Sequence, residues 1–230
     1  MIRLPYNEIY VISLSDTISL RSHYINKIPF AFTLFPAIKN EVGHEGLKFT
    51  FRDLFADLLH RGVENAIIFE DDVKFLTDNA MEDFNACISE LPDDYFMLHF
   101  GCNMLAPAKP YGKNLIEVVM SYALHATMYS RAAMEKIYAI LDDQYINYQK
   151  NTPKEPLDLI IAKLFQRREK IYCSSKLLTT QWPSVSSIFK YDQKVNTNIG
   201  EIYDPKTNVI NWNKLIVDNW ERNTKHLETK

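Results

Sequence analysis

Three acids stand in a row, Glu70-Asp71-Asp72, directly after the apolar run Ala66-Ile67-Ile68-Phe69. Adjacent carboxylates repel one another, so such a run at the end of a buried strand needs a counter-charge. A hard divalent cation supplies it. Magnesium and manganese take carboxylate oxygens in near-octahedral shells, often one or two from the protein and the rest from water and substrate phosphates. The same cation neutralises charge on a departing diphosphate. In open α/β sheets, ligands sit at the carboxyl ends of the strands, where this triplet falls. Extended backbone sends successive side chains to opposite faces, so Glu70 and Asp72 are predicted to share a face that Asp71 does not. Asp72 is the favoured direct metal ligand, with Glu70 beside it. A solvated acidic turn explains the triplet alone equally well; the preceding strand favours the site.

Other residues offer a choice of roles. Asp158 follows Pro156 and opens a helical pattern, where an acid is stabilised by the helix dipole; it is also a candidate general base, with Glu155 as the nearby alternative. His125 lies in the apolar run Tyr122-Ala123-Leu124-His125-Ala126 and suits either a core position or a hydrogen bond to a sugar hydroxyl. His99, within Leu98-His99-Phe100-Gly101, reads as structural. His44 and Lys48 flank a turn marked by Gly43 and Gly46, either as an exposed loop or as contacts to a diphosphate or base near a helix start. Arg21 has the same choice. Gly43-His44-Glu45-Gly46 lacks the spacing of a phosphate-binding P-loop.

The elements that must position these residues follow from periodicity. Ile9 to Leu14 reads as a buried strand, the first of a parallel sheet. Ser15 to Lys27 reads as loop and short helix, and Phe30 to Phe35 as a second strand ended by Pro36. Leu47, Phe51, Leu54, Phe55, Leu58 and Leu59 recur at helical spacing, with Gly62 at the C-cap position. Asn79 and Glu82 resemble a capping box before a helix carrying Phe84, Ile88 and Leu91. Tyr95 to Phe100 is a strand, 102–114 a long surface loop, and Ile116 to Tyr129 one or two strands. Ser130 caps a helix with Met134, Ile137, Ile140 and Leu141. After a polar linker, Asn147 to Pro156, come a short helix, Leu157 to Phe165, and a late strand, Lys170 to Leu178. Strands alternating with helices predict an α/β sandwich with a mostly parallel central sheet flanked by helices.

Composition narrows the class. Of 230 residues, 47% are hydrophobic and 24% charged, as in ordinary globular chains. The net charge is −3, and no block of basic residues argues for nucleic acid. No apolar run approaches the ~18 residues of a membrane span. The N-terminus lacks a signal-peptide core. Cys87, Cys102 and Cys173 show no metal or disulfide spacing, so a reducing compartment, the cytoplasm, is expected.

Taken in order, several segments resemble family 25 glycosyltransferases, the group of bacterial lipooligosaccharide and collagen galactosyltransferases. They are Ile9 to Leu14 with Arg21 downstream, Phe35-Pro36-Ala37, Gly43-His44-Glu45-Gly46 followed by Thr50, and Ile67 through Glu70-Asp71-Asp72-Val73. Tyr122 to Ala133, Pro156-Leu157-Asp158 and Gln181 through Ser186-Ser187-Ile188 continue the series. Ser13, Ser15, Phe51 and Ser187 stand where the family carries other residues. The resemblance implies a GT-A-like nucleotide-binding fold, with 1–190 as catalytic domain and 191–230 as a C-terminal extension. It implies an inverting transfer of a hexose from a nucleotide sugar, a UDP-sugar favoured, to a glycan or protein hydroxyl, as in lipopolysaccharide or other glycan biosynthesis. The expected metal is Mn(II), with Mg(II) as substitute. Ser13, Leu14, Arg21, Ala37, Lys48, Glu70 and Asp71 would hold the donor, His125 the acceptor, and Asp158 or Glu155 would be the base. Many GT-A enzymes supply a late histidine to the metal; only His226 follows Cys173, and it is not assigned. A non-catalytic nucleotide-sugar or carbohydrate-binding module of the same fold, and a different magnesium enzyme such as a phosphatase or nucleotidyltransferase, are the competing classes.

Overall fold

The computed structural model describes residues 2–5, 7–146 and 155–182, and the backbone alone of short strand pieces at 184–185, 192–193, 203–204 and 209–210. The expectations for most of the 147–156 linker, for Ser187 and His226, and for the boundary at residue 190 lie outside the described residues.

An eight-stranded sheet forms the centre. Its strands are β1 (Ile9–Leu14), β2 (Thr33–Ala37), β3 (Asn65–Glu70), β5 (Met97–His99), β7 (Lys109–Pro110), β8 (Leu115–Glu117), β10 (Ala126–Ser130) and β11 (Ile171–Ser174), in the order β2-β1-β3-β10-β5-β11-β8-β7. Only β10 and β8 run against the rest, so the sheet is mostly parallel in strand direction. Two small antiparallel pairs attach to it: β4 (Val73–Phe75) with β12 (Thr179–Gln181), and β6 (Asn103–Met104) with β9 (Ser121–Tyr122).

Both sheet faces are covered, which is why β1 and β3 are apolar without alternation. Tyr10, Ile12, Ala66 and Ile68 enter one core with α2 (Gly43–His60), α4 (Arg131–Ile146) and α5 (Leu157–Leu164). Ile9, Val11, Ile67 and Phe69 enter the other, against α3 (Ala80–Ser89) and Ile25 of α1 (Ile18–Ile25). Phe84 stacks on Phe100 at 3.6 Å between centroids, inside a cluster with Phe30, Phe69 and Phe75. Phe30, Phe69, Phe84 and Phe100 are buried, and each such ring contributes roughly 1.5–3 kcal/mol through removal from water. Helix α2 ends as its sequence foretells. Gly62 takes φ +73°, and Val63 N–H donates to the Leu58 carbonyl, a Schellman closure.

Several local expectations are corrected. Pro36 lies within β2 instead of ending a strand at Phe35; β2 is an edge strand, which tolerates a missing donor. Gly43 and Gly46 form the first turn of α2, not a turn before it. Gly46 is required there because a Cβ would lie 2.3 Å from the Ile38 carbonyl oxygen, so the helix is seated hard against the end of β2. Asn79 makes no side-chain cap. Thr77 instead ties the approach to the helix, accepting from Asn79 N–H and donating to Asp83. The 102–114 segment is not wholly surface loop: Cys102 and Met104 are buried and β6 and β7 run through it. Ile116 to Tyr129 divides among β8, β9 and β10, and the late strand shrinks to β11 before β12 begins. Ser130 does cap α4, its hydroxyl accepting from Ala133 N–H at 3.2 Å.

Candidate active site

The site is assembled where β1 and β3 end side by side. Their parallel register pairs Ile12 with Glu70, so the residues just beyond face each other across the sheet's edge. Ser13 donates its hydroxyl to Asp71 Oδ2 at 2.6 Å. Arg21, on the helix that follows β1, brings its guanidinium 3.9 Å from Asp71 and 3.7 Å from Asp72. These are ion-pair distances too long for hydrogen bonds, and Arg21 Nη1 is buried with no hydrogen-bond partner among the described residues. A donor so placed is ready for an anionic oxygen.

The predicted division of the triplet is seen only in part: Gln181 joins Glu70 with Asp72, but residues 71–72 form a turn, so Asp71 lines the cleft with Glu70 and shares Arg21 with Asp72. Gln181 Nε2 donates to Glu70 Oε2 at 3.2 Å and to Asp72 Oδ1 at 3.3 Å, while Asp71 turns to Ser13. Gln181 arrives because β12 pairs with β4 directly after the triplet, opposite Val73. Trp182 N–H then donates to the Asp72 carbonyl at 2.7 Å, pinning the backbone of the acids. Glu70 N–H is held by the His125 carbonyl at 3.0 Å.

The electrostatics are those of a crowded anionic site. Glu70 keeps some exposed surface but is hemmed in by protein, and its carboxyl is raised well above the usual range. Burial is the main cause, followed by repulsion from Asp72, Asp71 and Asp158, with Arg21 opposing. Burial also raises Asp71, against the Ser13 hydrogen bond and Arg21. Burial raises Asp158, whose oxygens accept from Ala123 N–H at 3.4 Å and Leu159 N–H at 2.8 Å. Ala123 adopts φ +75°, an uncommon backbone for alanine. That strained residue turns its N–H toward Asp158.

A cleft of about 270 Å³ opens beside the acids, close to the lower end of small-molecule sites. Ser13, Leu14, Arg21, Ala37, Glu70 and Asp71 line it together. Thr17, Lys39 and Asn40 also line it and were missed by the sequence reading; their one signal is that they immediately follow β1 and β2. Gln181 was missed as a site residue too, although it opens the last segment of the family-like series.

Five expected site residues do not line the cleft: Asp72 and Asp158, placed above by their contacts, and Lys48, Glu155 and His125. Lys48 is 1% exposed, buried against Glu45 at 2.8 Å, and does not line the cleft. Glu155 is paired with Lys163 near the surface. His125 is buried, with Nε2 3.4 Å from Thr179 Oγ1, and burial pushes its pKa down to about 4, so the ring is neutral at pH 7. His99 is likewise buried and lowered to about 3, with Nδ1 3.0 Å from Thr127 Oγ1.

Among the described residues no three His, Cys, Asp or Glu side chains are grouped as a fully protein-made metal site needs. The donor set at hand is two carboxylates, Asp72 and Glu70, on one face and joined by a single amide. That suits a hard cation whose remaining ligands are water and phosphate.

No protein-family model and no curated protein matches the sequence. Solved structures resemble the chain at low similarity. A glycosyltransferase involved in glycosylation of the major capsid of PBCV-1 is 12% identical, covers 74% of this chain and 81% of its own, and has a TM-score of 0.43. A197 from STIV is 14% identical over 77% of this chain and 86% of its own, with a TM-score of 0.44. Apo-UDP-glucose pyrophosphorylase is 9% identical over 73% of this chain and 72% of its own, with a TM-score of 0.43.

Proposed function

We propose that the chain is a metal-dependent glycosyltransferase of the GT-A kind, related to family 25, that moves a hexose from a nucleotide sugar to a glycan or protein hydroxyl with inversion. One observation carries this reading. Arg21, whose buried Nη1 makes no hydrogen bond, lines one cleft together with the Glu70 and Asp71 carboxylates at the carboxyl ends of two parallel strands, and Asp72 stands beside it at ion-pair distance from the same guanidinium. The ordered family-like segments support the finer assignment.

In this reading the nucleotide lies in the cleft between the ends of β1 and β2 and the start of α2. Arg21 meets the diphosphate, and Ser13 fixes the Asp71 carboxylate. Asp72, with Glu70 beside it, would hold Mn(II) or Mg(II), which when bound supplies charge neutralisation to the leaving diphosphate. Gln181 keeps the two carboxylates on one face. Asp158 takes the proton from the acceptor hydroxyl. Its burial favours the neutral product of that transfer, and the Ala123 and Leu159 N–H groups hold its oxygens in place.

The test is a thermal-shift series with UDP-galactose and UDP-glucose, with and without manganese, on the chain and on Asp72→Asn. Donor at a hundred times its dissociation constant stabilises by about 2.7 kcal/mol. For a chain of this size that is a rise of roughly 5–11 °C. The rise should need metal and vanish in Asp72→Asn, while the variant's own melting stays within a few degrees of the parent. A metal-independent rise, or one unchanged in the variant, removes Asp72 from the metal site.

A further inference from the structure

Beyond the acids, along β4 and β12, lies a cluster that the proposed chemistry does not use. Trp182 stacks on Tyr24 at 5.3 Å between ring centroids and 15° between planes. Lys27 Nζ sits 4.3 Å from the indole centroid and Lys74 Nζ 4.6 Å from it. Two ammonium groups therefore share one ring, and among the described residues neither has a carboxylate partner. Indole attracts each cation through its quadrupole, but the ring does nothing to cancel their mutual repulsion. Lys27 is exposed and Lys74 half-buried, so the charges are open to a ligand.

The elements tie this cluster to the site. Lys74 pairs with Thr180 across β4 and β12, and Trp182 N–H holds the Asp72 carbonyl. Tyr24 lies one turn of α1 beyond Arg21, whose guanidinium is 6.0 Å from the Tyr24 ring. None of Tyr24, Lys27, Lys74 or Trp182 lines the cleft. A charge here acts on a group bound next to the acids and outside the nucleotide's space.

We propose that Lys27 and Lys74, held over Trp182, form an anion-binding subsite for the acceptor, which therefore carries a phosphate or a carboxylate near the hydroxyl that receives the sugar. The inference rests on the glycosyltransferase reading for the identity of its ligand as an acceptor. The chemistry is complementary across the site: the acid cluster repels a bare anion, and the lysine pair admits one only on the side away from the nucleotide. Phosphate and carboxylate fit the two ammonium groups alike, as charge-assisted hydrogen-bond acceptors.

The experiment is a binding titration by protein-detected NMR with UDP and diamagnetic magnesium present throughout, so that the cleft is filled. The probes are glucose, glucose 6-phosphate and glucuronate. Glucose 6-phosphate, glucuronate or both should bind about tenfold more tightly than glucose; which of them does so assigns the anion as phosphate or carboxylate. The double variant Lys27→Ala/Lys74→Ala should lose that preference while its affinity for glucose stays the same, and Lys27→Arg/Lys74→Arg should restore it. Equal binding of the three sugars, or an anion preference that survives the double alanine variant, overturns the subsite. Failure of the donor reading shows separately, as absence of any metal-dependent thermal shift with UDP-sugars. Because Lys27 is exposed and Lys74 only half-buried, the alanine variant should melt within a few degrees of the parent, which verifies that the fold is intact.

Discussion

Replacing Glu70 with Gln should make the metal-free protein more stable and the metal-loaded one less responsive. Gln keeps the shape, and its carbonyl still accepts from Gln181. What is lost is a negative charge beside Asp72, Asp71 and Asp158, which only Arg21 opposes. The size of the effect follows from the geometry. Glu70 Oε2 and Asp72 Oδ1 lie 3.2 and 3.3 Å from the same amide nitrogen, so they are no more than about 6.5 Å apart. Two charges at about 6.5 Å repel by about 2.6 kcal/mol at an effective dielectric of 20 and by about 0.6 kcal/mol in water. Asp71 and Asp158 add to this and Arg21 subtracts. A net gain of about 1–2 kcal/mol for Glu70→Gln is expected, a rise of roughly 2–8 °C in melting temperature.

The pH dependence gives the sign an independent check. Glu70 has its folded-state pKa raised, so the folded protein holds this proton more tightly than the unfolded chain does. Its contribution is complete below the ordinary carboxylate range and is lost as pH rises through the raised value. The advantage of Glu70→Gln should therefore be small near pH 5 and grow toward pH 8. Thermal melts in EDTA at the two pH values measure it. Manganese with UDP-galactose should reverse the order, stabilising the parent strongly and the variant weakly. A variant less stable than the parent at pH 8 in EDTA would show that these acids are not held in mutual repulsion, and the physical basis for a cation site would fall with it.

Two further outcomes separate catalytic from structural roles. Asp158→Asn should lower kcat by roughly 10²–10⁴ while leaving the metal-dependent donor shift intact, because the amide can still accept from Leu159 N–H; turnover close to the parent's would exclude Asp158 as the base. His125→Gln should gain on the parent as pH falls. The histidine's folded pKa is lowered to about 4, so the unfolded chain binds its proton first, and its contribution, complete above about 6.5, is lost toward about 4. Urea melts of the pair should converge by up to about 1.4 kcal/mol per pH unit across that window, and a constant difference would mean that the ring is protonated in the folded state.

What was legible in the sequence is what depends on neighbours in the chain. The unbroken apolar runs of β1 and β3 announce strands buried on both faces, and the acids after β3 mark where the sheet ends. Alternation paired Glu70 with Asp72, and the Gln181 contacts follow it, but the turn at 71–72 puts Asp71 in the cleft with Glu70 and beside Arg21 with Asp72, which alternation could not state. Contacts made across long stretches of chain were not legible. Gln181 lies 111 residues from Glu70 and reaches it only because β12 pairs with β4, a fact that no local periodicity encodes. The reversal of β10 and β8 was hidden for the same reason, since a strand's apolar pattern does not state its direction. Lys48 was misplaced because a lysine after a glycine pair reads as exposed. Its burial depends on Gly46 letting α2 close onto Ile38, which brings Lys48 and Glu45 inside together.

The same contrast explains why charge, more than shape, carries the functional argument. A core tolerates any well-packed apolar residues, so β1 and β3 say little about activity. A protein could lower its own electrostatic cost at this edge by replacing Glu70 with an amide, yet the chain keeps three acids here and a fourth, Asp158, within electrostatic reach. It also leaves the buried Nη1 of Arg21 without a hydrogen bond beside them. Each is unfavourable in the free protein, and a ligand joining a cation to phosphate oxygens relieves both together. Stability forgone in the free state then returns as affinity for that ligand, which is why Glu70→Gln should separate the two quantities while a substitution in the apolar core would lower them in parallel.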